Sequence, residues 1–425
     1  MEVVNRLRII FFILFSIGLS FSISFSNISL ALIILNEIAA LSKERKFQYK
    51  RLPFDVIFIL IIVSFFLSAV FGIDVARSLS DFKSELHFLI LFLVYYNVKQ
   101  EQAKALIKVF IISSVVVSAF GIFQYMLRIN VSVDGVFTIP YDYLREISPK
   151  IQHYLSLWGN RIRGTRSHPI TFAECVFFSF ILNTAFIINS KNIKSKLFWS
   201  SGFIIQGIAI IFSYSRGVWL ASVISLMLAF VLMLRKKKIY MFVFAIILVF
   251  VFLFNLKLKQ RLTGSDIASR ESTQIRMHLW KSAIDISKDY LIFGIGVGNL
   301  KKVYHKYQSP DITDKRAWSE LHNVFLQVLV ERGIAGFGIF VWLLIAIGKS
   351  LLMFYRREEE GTFNRSLSGA IMISFLGFLI FNITENALFD AEVAMIFYFI
   401  IGCSFSLFFN KSVNNNEMGR EKNES

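Results

Sequence analysis

The sequence has few charged residues and only two cysteines. Charged side chains make up 18% of its 425 residues and hydrophobic side chains 55%, whereas soluble domains average about 25% charged and about 45–50% apolar residues. This shortage of charge excludes a soluble enzyme, a disordered chain and a collagen-like fibre. Cys175 and Cys403 both lie within apolar runs, so the sequence predicts neither a disulfide framework nor a cysteine-based metal site.

Metal-ligand patterns are also missing from the polar segments. No Asp-x-Asp pair and no His-x-x-x-His spacing occurs there, although carboxylate and histidine sets are the usual ligands of divalent metals. The chemistry of the chain is therefore predicted to need no metal and no other cofactor.

Long apolar runs dominate the sequence, and its mean hydropathy is +0.60. A helix needs about 20 mostly apolar residues to cross a hydrocarbon core of about 30 Å. The runs predict an all-α polytopic membrane protein in which residues 1–425 form a single transmembrane domain with about twelve spans. The fourth span is short and could lie at the interface instead. The predicted spans are residues 8–24, 27–43, 54–72, 84–98, 104–126, 168–190, 197–214, 216–234, 239–256, 334–354, 367–386 and 390–409.

Lys and Arg give the chain a formal net charge of +17 and are concentrated in the even-numbered loops. This asymmetry predicts that those loops and both termini are cytoplasmic, since basic loops stay inside. The third loop, with Arg77 and Lys83, is an exception. The polar tail, residues 410–425, is predicted to be disordered. Because the basic residues are scattered over many short loops, membrane lipid rather than nucleic acid is the expected surrounding.

Two loops on the predicted outer side, residues 127–167 and 257–333, are much longer than ordinary connections. Both contain basic residues that orientation does not require, because long loops cross the membrane whatever their charge. In the second, apolar residues at helical spacing predict a helix over Ser272–Ile286, with Ser272 or Thr273 as its cap. The same loop closes with a second predicted helix that begins just after His322 and ends at Gly333.

Five side chains are predicted to share the outer boundary of the membrane, and their chemistry suggests a site. The planar guanidinium of arginine binds phosphate or pyrophosphate oxygens in pairs and stays charged. A histidine can accept a proton near neutral pH. Together they could bind a lipid pyrophosphate and activate an incoming hydroxyl for glycosyl transfer. The five are Arg163, Arg166, Arg216, Arg276 and His322.

Several neighbouring signals have simpler interpretations. Arg216, at the end of a span, could simply extend its charge to the membrane interface by snorkelling, without a role in a site. The glycine-rich stretch Gly294–Gly298 is interpreted as a turn after the helix, because no strand precedes it. His168 and Glu174 are candidates for lining a cavity. The acidic group Glu385, Asp390 and Glu392 fits an outer turn and needs no catalytic role.

At these residues the sequence resembles the O-antigen ligase and polymerase superfamily of bacterial membrane glycosyltransferases. Three segments over about residues 160–350 carry the resemblance, and a looser one includes Arg163 through Pro169. One departure is Tyr290, where the family often has proline before the glycine turn. The three segments are Ser-Arg-Gly at 215–217, Arg-x-x-x-Trp at 276–280 with the glycines at 294–298, and His-Asn-x-x-Leu-Gln at 322–327 with the glycines at 333 and 336.

The resemblance implies transfer of a glycan from undecaprenyl pyrophosphate to an acceptor hydroxyl, without metal, on the periplasmic face of the bacterial inner membrane. Carried onto the matching positions, it implies that His322 activates the acceptor. Arg216 and Arg276 then hold the pyrophosphate, so these three are the catalytic residues.

The substrate-binding residues follow from the same resemblance. Arg163 or Arg166 supplies a third contact with the pyrophosphate. Asn323 orients His322 or the acceptor, and Trp280 completes the motif that contains Arg276.

The sequence does not decide which molecule accepts the glycan. A ligase, which joins O-antigen to the lipid A-core, fits the span count and the moderate outer loop and is preferred. An O-antigen polymerase or a protein O-oligosaccharyltransferase of the same superfamily is the alternative. A transporter is the alternative from another class, although no repeat relates the two halves of the sequence.

Overall fold

The computed structural model describes residues 2–44, 51–127, 161–233, 267–308 and 318–421. Throughout these ranges the only regular secondary structure is helical, which confirms the all-α prediction. The ninth predicted span, residues 239–256, lies outside the described residues, as does most of the first long loop. The helices are α1 (Glu2–Phe21), α2 (Ile23–Glu44), α3 (Asp55–Phe71), α4 (Val75–Ser80), α5 (Phe82–Glu85), α6 (Leu89–Asn97), α7 (Gln100–Leu127), α8 (Pro169–Ile188), α9 (Ile193–Phe212), α10 (Arg216–Met233), α11 (Ile267–Asp289), α12 (Leu300–Tyr307), α13 (Val324–Arg357), α14 (Phe363–Phe381) and α15 (Ala391–Glu421).

Within the described ranges, nine helices are long and apolar enough to span a membrane, namely α1, α2, α7, α8, α9, α10, α13, α14 and α15. Two shorter apolar helices, Asp55–Phe71 and Leu86–Asn97, match the third and fourth predicted spans. The membrane architecture is therefore confirmed, whereas the number twelve stays a prediction. Helix α15 continues to Glu421, into the segment 410–425 for which the sequence predicts a disordered tail.

The ends of several long helices contact one another at one end of the bundle. Three contacts define this end, which we term the site end. The Arg166 guanidinium donates to the carbonyl of Leu19 at the end of α1. The Ile162 N–H donates to the Phe212 carbonyl at the end of α9. The Val324 N–H donates to the Asn382 carbonyl after α14. The loops predicted to share one side of the membrane therefore lie together.

Close helix packing at the site end depends on glycine. A Cβ on Gly217, the second residue of α10, would lie 2.5 Å from Thr384 Oγ1. A Cβ on Gly377 would overlap the ring of Phe177 on α8. Small residues let backbones approach closely in membrane bundles. These two contacts draw α8 and α10 against α14 and the loop that follows it.

Helix α11 is longer than the sequence pattern predicts. It begins at Ile267 rather than at Ser272, so the prediction that Ser272 or Thr273 caps it is wrong. The apolar spacing marks only the face of α11 that packs on the protein, where Leu279, Ala283 and Ile286 are buried. The polar first turn lies outside that spacing and gives no apolar signal.

The glycine-rich stretch after α11 forms a turn, as the sequence predicts, and the turn pairs with a break in α13. Gly294, Gly296 and Gly298 all have positive φ angles. The Ile295 and Gly296 N–H groups donate to the carbonyls of Val330 and Glu331. After the break at Gly333, the Ile334 N–H donates to the Leu291 carbonyl. The backbone groups of α13 that lose their helical partners at the break are therefore hydrogen-bonded to the glycine turn instead.

Replacing Gly333 with alanine is expected to destabilise the protein. Gly333 has φ 63° and ψ −172°, a conformation that costs other residues about 1–3 kcal/mol, and an added Cβ would overlap the Ile292 carbonyl. The thermal midpoint of the detergent-solubilised protein should fall for Gly333→Ala. Gly338→Ala is the matched control, since Gly338 lies in the same helix with open space around it, and it should be neutral or slightly stabilising. Equal midpoints for the two variants would contradict this account.

Candidate functional site

His322 lies on a backbone segment that is clamped on both sides. The N–H of buried Leu321 donates to Gln327 Oε1 at 2.9 Å, and the Leu321 carbonyl accepts a hydrogen bond from Trp280 Nε1 at 3.1 Å. Asn323 caps α13, because its Oδ1 accepts the Leu326 N–H. His322 itself has φ 48°, which is uncommon for a residue other than glycine. The direction of its side chain is therefore fixed by contacts before and after it.

A polar stripe along the start of α13 explains this rigidity. Gln327 Nε2 donates to Glu331 Oε1 at 2.8 Å, and the same oxygen accepts the Gly298 N–H at 3.0 Å. The stripe of Asn323, Gln327 and Glu331 thus links the His322 segment to the glycine turn. It is a structural network, and its members reach His322 only through the backbone.

Glu385, in the loop between α14 and α15, is the centre of the site. Its Oε1 lies 2.5 Å from a terminal nitrogen of Arg276, and its Oε2 lies 3.6 Å from His322 Nδ1. The carboxyl is buried, with 7% of the side chain exposed. Burial raises the pKa of Glu385, but the contacts with His322 and Arg276 outweigh burial and hold the pKa below its ordinary value. Glu385 is therefore a carboxylate at neutral pH.

This arrangement gives the two nitrogens of His322 different surroundings. Nδ1 faces Glu385, at a distance that makes a charge contact rather than a hydrogen bond. The side chain is 29% exposed, and Nε2 is the ring nitrogen on the other side of the imidazole. A carboxylate behind one nitrogen stabilises the imidazolium that forms when the other nitrogen takes a proton. The geometry therefore suits His322 to act as a general base.

Arg216 reaches the same place from α10. Its guanidinium donates to Thr273 Oγ1 at 3.1 Å, and Thr273 lies one turn before Arg276 on α11. The next residue, Gly217, packs directly against Thr384 and the Glu385 side chain. The structure therefore brings together three predicted residues, Arg216, Arg276 and His322, which are widely separated along the chain.

The segment before α8 holds the other two predicted arginines, and they differ. Arg166 has 1% of its surface exposed, and its terminal nitrogens lie 3.0 Å from Glu392 Oε1 and 2.5 Å from the Leu19 carbonyl. Its charge is thus used in a buried ion pair away from Glu385. Arg163 is partly buried, which lowers its pKa, and its Nε has no hydrogen-bond partner. Both arginines keep nitrogens without a hydrogen-bond partner, but the charge of Arg166 is already paired with Glu392, so Arg163 is the better candidate for contact with a ligand.

His168 is a second histidine close to this site. Its Nδ1 accepts the Ile170 N–H and so caps α8. Burial, helped by the positive charge of Arg161, lowers the pKa of His168 to about 4, although Glu385 acts in the opposite direction. The ring is therefore neutral near pH 7 and its Nδ1 is occupied. His322, not His168, is the histidine placed for proton transfer.

Trp280 and Asn323 have structural contacts in the positions where the sequence predicts substrate contacts. Both fix the backbone on either side of His322. The ring of Trp318 meets the His322 imidazole edge to face, with centroids 5.8 Å apart. Trp318 was not a sequence candidate, because a single tryptophan in a polar loop carries no spacing signal.

Sequence analysis also gives no reason to single out Glu385 as a candidate. An acid between two spans fits the predicted topology. Its contacts with Arg276 and His322, 109 and 63 positions away along the chain, are purely tertiary. Within the described ranges, no group of three or more His, Cys, Asp or Glu side chains is arranged to hold a metal ion.

Part of the chain that forms this site matches a known protein family. Residues 201–341 match the family model described as O-antigen ligase, about a third of the chain. The match includes Arg216, Arg276, Trp280, His322 and Asn323, and it excludes Arg163, Arg166 and Glu385. No curated protein matches the chain. The match of residues 201–341 confirms the resemblance of this chain to the O-antigen ligase and polymerase superfamily of membrane glycosyltransferases.

Proposed function

We propose that this protein is an O-antigen ligase. It transfers a glycan from undecaprenyl pyrophosphate to a sugar hydroxyl of the lipid A-core oligosaccharide. The observation that carries the proposal is the convergence of Arg276 and His322 on the buried Glu385 carboxylate. Arg216 lies close by, because it donates to Thr273, one turn before Arg276 on α11. A base and two guanidinium groups at the end of an apolar bundle suit a reaction between a lipid pyrophosphate and a hydroxyl.

The proposed reaction needs one bond to form and one to break. The acceptor oxygen bonds to the first carbon of the glycan while the bond from that carbon to the pyrophosphate oxygen breaks. His322 Nε2 takes the proton of the acceptor hydroxyl, and Glu385 stabilises the resulting imidazolium. The pyrophosphate leaves with the electron pair of the broken bond, and the arginines stabilise its growing negative charge.

Arg276 is suited to bridge the two halves of this chemistry. One terminal nitrogen holds Glu385, while its buried Nε has no hydrogen-bond partner. A guanidinium carries five N–H donors in one plane, so it can hold Glu385 on one edge and a pyrophosphate oxygen on another. Arg216 and Arg163 would supply further donors, and Arg166 would hold the surrounding helices together through Glu392.

The apolar helices support a location in a membrane. The chain is a multi-pass protein whose apolar helices fit a bacterial membrane. We place it in the inner membrane with both termini in the cytoplasm, so that the site end faces the periplasm. There it meets the lipid-linked donor, the lipid A-core acceptor and membrane lipid. The proposed reaction uses no metal, because the arginines neutralise the leaving group.

A strain that lacks the protein tests the acceptor. Lipopolysaccharide from this strain, separated on a gel, is expected to show core without O-antigen, while lipid-linked polymer accumulates, because chains are built but not transferred. Core bearing a single repeat would instead identify a polymerase. An unchanged gel pattern with loss of glycan from proteins would identify a protein O-oligosaccharyltransferase. Altered transport without any change of glycan would contradict the whole proposal.

His322→Ala is expected to lower transfer by about a hundredfold to ten-thousandfold, the range for loss of a general base. The measurement is O-antigen attachment in the deletion strain carrying the variant, with its amount in the membrane determined in parallel. His305→Ala is the matched control, since His305 is exposed on α12, and it should transfer normally. Normal transfer by a well-expressed His322→Ala variant would remove the proposed base.

Arg216→Lys keeps the charge but loses the planar pair of donors. Transfer is expected to fall by about tenfold to a hundredfold, because a hydrogen bond to a charged group contributes about 1.5–3 kcal/mol. Arg356→Lys, at the opposite end of α13 from His322, is the control for a general effect of this exchange. If both variants transfer equally well, Arg216 serves only to reach the membrane interface.

A further inference from the structure

Glu174 is an acidic residue inside a membrane-spanning helix. It lies in the second turn of α8 and has 2% of its surface exposed. Its Oε1 has no hydrogen-bond partner, and none of the ion pairs among the described residues includes it. Buried polar atoms without partners are rare in native proteins, and an ionisable residue at membrane depth usually has a functional role. The contacts that join Arg216, Arg276, His322 and Glu385 do not include Glu174.

The neighbours of Glu174 on α8 show which way its side chain faces. Thr171, one turn earlier, donates to Asp390 Oδ2 at 2.8 Å. Phe178, one turn later, meets the ring of Phe381 at the end of α14, with centroids 6.4 Å apart. Residues spaced three and four apart share one face of a helix. Glu174 therefore faces the end of α14 and the loop that carries Glu385.

The charges around Glu174 decide its own state. Three acidic groups, Glu385, Asp390 and Glu320, and one basic group, Arg276, lie within electrostatic range of its carboxyl group. Arg276 already binds Glu385, so it is not a dedicated partner for Glu174. An ionised carboxylate that is buried without a partner is very costly, and the three nearby carboxylates add repulsion. Glu174 is therefore a neutral acid, which can donate a hydrogen bond from its O–H.

The depth of Glu174 indicates which part of a ligand it meets. Glu174 lies six positions after His168, the residue that caps α8, which corresponds to about 9 Å along the helix axis. A lipid-linked donor lies with its chain in the bilayer and its glycan outside, so its diphosphate is the deepest polar group. A second orphaned donor, Arg276 Nε, is buried in the same region. Two unused polar groups thus come from different helices, α8 and α11, and lie near Glu385 at the site end.

We propose that Glu174 binds the donor's diphosphate, as a neutral carboxylic acid that donates a hydrogen bond to a phosphate oxygen. This inference rests on the proposed function and assigns to the donor site a residue outside the matched family segment. A neutral acid suits this position because it adds a donor without adding positive charge. An ionised Glu174 would repel the diphosphate.

The test uses the full-length protein in lipid nanodiscs and radiolabelled undecaprenyl diphosphate without a glycan. Glu174→Gln keeps a neutral donor and should bind this probe within about twofold of the unchanged protein. Glu174→Leu keeps the volume but has no donor and should bind about tenfold to a hundredfold more weakly. Thr184→Val is the matched control on α8, since Thr184 is buried and bonds only to the Ile181 carbonyl of its own helix. It should bind normally.

Three results would overturn the proposal. Equal loss of binding in Glu174→Gln and Glu174→Leu would mean that the carboxyl acts in its ionised form or in folding. Normal binding by Glu174→Leu would mean that the carboxyl does not contact the diphosphate. Normal binding of the bare probe by Glu174→Leu, with weak binding only of the glycan-bearing lipid, would assign the contact to the sugar.

Two further outcomes keep the experiment decisive. If Glu174→Leu does not accumulate, Glu174→Met replaces it, because Met also lacks a donor and should bind the probe more weakly. Normal binding by a folded Glu174→Met variant overturns the proposal. If the unchanged protein fails to bind undecaprenyl diphosphate, the proposed function fails, and this inference fails with it. Failure confined to the variants leaves the proposed function standing.

Discussion

The buried carboxylate of Glu385 is the interaction on which the site depends. A buried anion is stable only if nearby cations offset the free energy lost when it leaves water. Arg276 and His322 provide this compensation from two different segments of the chain. In turn, the negative charge of Glu385 offsets the repulsion between Arg276 and a protonated His322, so the two side chains can lie close together. The same contact therefore fixes the position of a cation and the orientation of a base.

The supporting structure converts a long polar loop into a rigid platform. The glycine turn after α11 pairs with the break at Gly333, and Gln327 and Glu331 extend that pairing to the residue before His322. Trp280 closes the arrangement from α11. A base can transfer a proton only when it is held at the right distance and angle. The backbone network holds His322 in one position, as its proposed role as a base requires.

Much of this arrangement could be predicted from the sequence. Hydropathy locates the helices, and residue type with boundary position identifies Arg216, Arg276 and His322 as candidates. The role of Glu385 could not be predicted, because an acid between two spans also fits topology. Nor could Arg166 be separated from Arg163, since both arginines approach the same helix. Only the tertiary structure shows that the charge of Arg166 is paired with Glu392, at 3.0 Å.

The pairing of Arg276 with Glu385 also affects which anions can enter. The protein supplies its own resident counterion, so an incoming anion must either displace it or share the guanidinium with it. An ion with a single charged group gains little by such an exchange. A ligand with two linked charged groups can occupy the free edge of Arg276 and reach Arg216 at once, which favours chelating polyanions over the monovalent and simple phosphate ions of the surrounding medium.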